Sequence, residues 1–164
     1  MGRSSQSHGF TLIELMITVA IVGIFVAVAV PSFINFVSNN RTESASNELL
    51  SFMQYARSTA VQNKASLTAC LEAEVWTLKK DCDDADTTSL RTLENPPNID
   101  VLANAEEVTF RSNGTASTAV SIIACREDDF RNAITLTVQN SGSTRTWPRG
   151  KTENNASYMS TCTP

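Results

Sequence analysis

Four kinds of residue in this 164-residue chain could carry chemistry: four cysteines, one histidine, a carboxylate alone in an apolar run, and short clusters of like charge. The histidine, His8, lies among the first ten residues. Its solitude argues against Ser-His-Asp and Cys-His nucleophilic catalysis and against zinc sites of mixed Cys/His type. The cysteines, Cys70, Cys82, Cys125 and Cys162, contain no C-x-x-C pair. A Cys₄ zinc centre therefore lacks its usual spacing, and an even count suits two disulfides, for which three connectivities exist. No metal site, no cofactor and no enzymatic reaction is expected. Asp81-Cys-Asp83-Asp84-Ala-Asp86 has the look of a calcium loop, but an EF-hand starting at Asp81 needs glycine at Asp86 and an acid at Thr92. A solvated acidic loop is the better reading.

The carboxylate is Glu14. It is the only charge among the 21 residues Phe10 to Val30. At ~1.5 Å per residue that run forms a helix of roughly 31 Å, matching a bilayer core of about 30 Å. Ionisable groups placed centrally in a membrane helix cost about 2.5–3.5 kcal/mol on insertion scales. Such a group needs a cationic or hydrogen-bonding partner, and the span contains no Lys, Arg or His to supply one. The partner must then come from another chain. The polar stretch before the run carries Arg3 and no acid, which places the N-terminus on the cytoplasmic side and everything after Val30 beyond the membrane. Ala27-Val28-Ala29 also fits signal-peptidase cleavage, giving a rival reading of a released, secreted binding domain. The length of the run and the carboxylate inside it count against that rival.

The elements that position these residues follow from periodicity. Phe33, Phe36, Val37, Ala45, Leu49, Phe52, Met53, Ala56, Ala60 and Val61 recur at spacings near three and four, predicting an amphipathic helix continuous with the apolar run and ending near Asn63-Lys64. Pro31 removes one backbone donor inside that helix, so a bend or loosening is expected there before it continues. Downstream, β-branched or alternating runs predict strands at 67–71, 75–78, 99–102, 108–111, 120–125 and 134–138, with weaker candidates at 144–147 and 158–161. Asn113-Gly114 and Ser141-Gly142 read as turns. The fold class is α+β: one long helix, its second half packed against antiparallel sheet.

Gly9-Phe10-Thr11-Leu12-Ile13-Glu14-Leu15-Met16 resembles the processing and assembly motif of the type IV pilin superfamily, shared by pseudopilins of type II secretion. The resemblance implies cleavage between Gly9 and Phe10 by a prepilin peptidase, methylation of the new terminus, contact between Glu14 and a neighbouring subunit's terminal amine, and a helix-kinking role for Pro31. The run from Glu48 to Asn63, leading into Leu67-Thr-Ala-Cys70, is similar to the GspH/FimT group, with cysteine usage like that of FimU/FimT-type minor pilins. The preferred pairing is Cys70–Cys82, joining neighbouring strand ends, and Cys125–Cys162, pinning the C-terminal tail. Both resemble pairings in that group. The expected organisation is a leader at 1–9, a transmembrane and filament-core half-helix at 10–30, an amphipathic half-helix at 31–64 and an exported antiparallel β domain at 65–164.

The resemblance implies a structural minor pilin that helps assemble or initiate a type IV pilus. It would be held by a single pass in the bacterial inner membrane with its C-terminal domain in the periplasm, and later sit in the filament or tip at the cell surface. Prepilin peptidase, other minor and major pilins and the inner-membrane assembly machinery are the implied partners. The alternatives are a GspH-like secretion pseudopilin and a FimT-like DNA-uptake pilin. The last depends on a Gly-Arg-x-Arg pattern, to which Gly142-Ser143-Thr144-Arg145 conforms only in its first and last residues. Arg145, Arg149 and Lys151 around Trp147 offer a small basic cluster with one aromatic, but three cations on a chain of net charge −4 predict weak or absent DNA binding.

Overall fold

The computed structural model describes residues 10–83, 88–153 and 157–164. It divides into two compact units, Met1–Ser38 and Asn39–Pro164. Helix α1, Leu12–Gln62, runs through both and includes Pro31. Its start is set by Thr11, whose Oγ1 accepts the Glu14 N–H (3.3 Å) in the manner of an N-cap. Its end is a Schellman turn: Ala65 N–H reaches Ala60 O, Lys64 N–H reaches Val61 O, and Lys64 adopts φ 51°.

Eight strands follow: β1 Leu67–Glu72, β2 Val75–Lys79, β3 Arg91–Leu93, β4 Asp100–Ala103, β5 Glu107–Phe110, β6 Val120–Cys125, β7 Ile134–Val138 and β8 Thr144–Thr146. They form two four-stranded antiparallel sheets, ordered β3-β2-β1-β5 and β4-β6-β7-β8. The sequence reading expected one sheet. Two arise because the chain changes sheet across Asn104–Glu106: Asn104 N–H is held by Ser121 O in the second sheet, and Glu106 O accepts Leu71 N–H in the first. The β1–β2 hairpin closes through Ala73 and Glu74, both at positive φ, the geometry that matches strand twist without the Asn-Gly signal that announces it.

The main core joins Ala45, Leu49, Phe52, Met53, Ala56 and Ala60 of α1 to inward residues of both sheets, among them Trp76, Leu78, Phe110, Ile122 and Leu136. Helical spacing on one side and alternation on the other produce this contact. Arg91 of β3 lies over the rings of Tyr55 (5.0 Å) and Phe52 (6.0 Å), tying the edge of the first sheet to the helix. Phe33, Phe36 and Val61, expected in the same stripe, are exposed. The two phenylalanines belong to the N-terminal unit, before the buried stripe begins at Ala45.

A second, small core contains Ile123, Cys125, Ala133, Met159 and Cys162, with Phe130 against it. It covers the outer face of the second sheet. Residues 158–161 are therefore not a strand: Tyr158 makes a single bridge to Lys151, and the segment turns Met159 and Cys162 inward at a spacing of three.

Candidate functional site

The described part of the N-terminal unit presents a largely apolar surface in which Glu14 is the one charge. Every side chain from Phe10 to Phe36 is exposed, including Leu12, Ile13, Met16, Phe25 and Val28. α1 is the one described helix long and apolar enough to cross a membrane. Phe10 stands at its start, 83% exposed, whereas Gly9, the residue on the other side of the expected cleavage point, lies outside the described residues. Glu14 occupies the third helical position after the Thr11 cap, where a carboxylate interacts favourably with the helix N-terminus. The first cation along the chain after it is Arg41, 27 residues on. Among the described residues, α1 offers the Glu14 carboxylate no counter-charge before Arg41.

The cysteines pair as Cys70–Cys82 and Cys125–Cys162. Cys70 lies on the face of β1 turned from the main core, so its bond holds the segment after β2 over the first sheet. Cys125 ends β6, and its bond to Cys162 fastens the tail over the second. Among the described residues no group of acids, cysteines or histidines could hold a metal ion. Asp81 Oδ1 accepts the Asp83 N–H, and Asp84 and Asp86 lie outside the described residues.

The basic cluster near the C-terminus is dispersed. Arg145 lies on β8 with its guanidinium 5.1 Å from the Trp147 ring, whose Nε1–H donates to Thr137 Oγ1 (3.1 Å). Arg149 instead turns to α1, where it pairs with Glu43 and donates to Asn39 O (3.0 Å). The Lys151 ammonium sits 3.4 Å from the Tyr158 ring centroid. Arg145 and Trp147 are brought together, while Arg149 is committed to a carboxylate.

A contact that sequence reasoning missed joins both glycine turns to the helix. The Arg57 Nε–H donates to Gly114 O (2.9 Å) and its second nitrogen to Ser141 O (3.3 Å). Gly142, at φ 76°, packs so closely that a Cβ there would overlap the Gly114 carbonyl oxygen. The two turn dipeptides were visible in the sequence, but nothing in it says that they touch.

Residues 45–142, more than half the chain, match the family model described as type II transport protein GspH. The chain belongs to the GspH family. Residues 4–30 of this family member match the prokaryotic N-terminal methylation motif. It is 32% identical over 118 residues to the type IV major alpha-pilin of Moraxella bovis, covering 72% of this chain and 70% of that one. Its likeness to the type IV major pilin protein PilA of Myxococcus xanthus is 50% over 44 residues, 27% of this chain and 20% of the relative. Among solved structures, the type IV minor pilin FimU of Pseudomonas aeruginosa superposes with a TM-score of 0.64 at 20% identity, covering 77% of this chain and 98% of that one. The minor pseudopilin EpsH of Vibrio cholerae gives 0.58 at 9%, covering 71% and 99%. The fold of this GspH-family chain is thus the pilin fold, a long N-terminal apolar helix whose C-terminal part packs on antiparallel sheets.

Proposed function

We propose that this chain is a structural minor pilin of a type IV pilus. Prepilin peptidase cuts it between Gly9 and Phe10, the apolar half of α1 anchors it in the inner membrane with the β domain on the far side, and it then joins other pilins in the filament or its initiating complex. The observation that carries this reading is Glu14: an acid in an exposed apolar helix, at a methylation-motif terminus, with no cation on that helix before Arg41. A subunit that supplies a carboxylate without a partner is built to receive one from its neighbour, here the terminal amine left by cleavage. The similarity to a pilin over 72% of the chain favours the pilus side of the family.

Replacing Glu14 by Ala tests this. Insertion and cleavage are expected to continue, since an apolar residue eases insertion, while the amount of the chain recovered in sheared filaments falls at least about tenfold, the equivalent of ~1.4 kcal/mol. Recovery of Glu14→Ala at the wild-type level would remove the intersubunit role. The match to the GspH model favours a second reading, a pseudopilin of type II secretion. Deletion of the gene separates the two: loss of surface pili supports the first, and loss of protein secretion with pili intact supports the second.

A further inference from the structure

Residues of α1 and of β8, the last strand of the second sheet, line the same clefts, which together form a groove. Three clefts of about 640, 490 and 280 Å³ compose it. The first two share Ser143 and Thr144, and the second and third share Thr146, so they run end to end along the strand. On the helix side they are bordered in turn by Arg57, Leu50 and Glu43.

The floor of this groove has unused hydrogen-bonding capacity. Ser143 O accepts Gln139 N–H and Trp147 N–H reaches Thr135 O, so the odd-numbered residues of β8 face β7. Alternation then turns the N–H and C=O groups of Thr144 and Thr146 away from β7, toward the open edge. Thr144 Oγ1 is buried and finds no hydrogen-bond partner among the described residues. An extended segment laid along β8 would satisfy the free N–H and C=O groups of Thr144 and Thr146 as a fifth strand.

Charge says which segment. Arg57 and Arg145 line the groove, and its one carboxylate, Glu43, is neutralised by Arg149. Cations on a sheet edge repel basic strands and admit acidic ones. This chain carries its own acidic counterpart: residues 72–107 hold ten acids against three bases, a net charge of −7. Within that stretch lies β4, the opposite free edge of the same sheet, with exposed Asp100 and Leu102.

We propose that the groove between α1 and β8 docks the edge strand β4 of a second copy of this chain, with Arg145 facing Asp100, the one acid of that strand. The contact is head to tail, so it continues sheet two from subunit to subunit and repeats without closing. It extends the assembly reading to the β domain, yet stands apart from the N-terminal segment that carries that reading.

The test uses the full chain in detergent micelles with a photoactivatable benzophenone residue at Ser143. Intermolecular adducts mapping to residues 94–107 of the second chain are expected. Their yield should fall about tenfold in Arg145→Glu and return when the second chain carries Asp100→Arg. Thr146→Pro removes only an edge-facing N–H and should also prevent the adduct while the thermal transition is retained. Adducts elsewhere, no intermolecular adducts, or a yield indifferent to the charge swap would each overturn the proposal. So would Arg145-dependent capture of duplex DNA by a chain that forms no adduct with itself. Any of these failures would leave the behaviour of Glu14→Ala in filaments unchanged, which separates this inference from the assembly reading.

Discussion

At the scale of single residues, the groups that matter are those that depart from what their surroundings ask for. The role proposed for Glu14 rests on sequence, because the only charge among residues 10–30 has no local justification. Arg57 was not legible there, because on a helical wheel it is one more polar residue between apolar ones, and its role comes from two turns more than 50 residues away. The closeness of Gly142 to Gly114 turns that role into an expectation. Gly142→Ala both forces an L side chain into positive φ and drives its Cβ into a carbonyl oxygen, so it should lower stability by at least about 2 kcal/mol. Gly23, with nothing within 4 Å, is the control: Gly23→Ala should leave the unfolding transition of the β domain where it was. Thermal unfolding of the two variants in the same detergent makes the comparison, and equal midpoints would contradict the contact.

Elements were legible where one period dominates. The stripe from Ala45 to Ala60 and the strands β6 and β7 have the residues that helical spacing or β-branched runs assigned to them, since each packs against the continuous main core and the strands are buried on their other face as well. β3 escaped notice because three residues with mixed polarity carry no periodic signal. The tail escaped for a different reason: its inward residues, Met159 and Cys162, serve a second core whose other members are on the outer face of a sheet, a face that a two-layer reading leaves to solvent. The Cys125–Cys162 bond closes a sequence separation of 37 and holds that core shut. Replacing both cysteines by Ser should cost about 4 kcal/mol by the chain-entropy account. It should also expose Met159 and Ile123 to solvent, read as faster hydrogen exchange in β6 and β7 than in β1 and β2. Uniform exchange across both sheets would show that the tail does not protect the second.

For the whole molecule, charge and exposure divide the labour. The N-terminal unit offers an apolar surface with one acid, and the second unit carries acidic and basic stretches on separate parts of its sequence, net −7 over residues 72–107 and +2 over 108–164. With Arg149 bound to Glu43, two cations of the C-terminal cluster remain, so log Kobs for duplex DNA should fall with a slope of no more than about −2 against log salt. Gel-shift titration near physiological salt is expected to show no retardation at low-micromolar protein. Retardation that disappears on joint Arg145→Ala and Lys151→Ala replacement would move the chain to the DNA-uptake class. The central claim is earlier in the chain's life and simpler to read. Mass spectrometry of the mature N-terminus, taken from membranes or filaments of cells with an active prepilin peptidase, should find a chain that begins at Phe10 with a methylated amine. A mature chain beginning at Val30, after Ala27-Val28-Ala29, would remove Glu14 from the functioning protein and contradict the account at its origin.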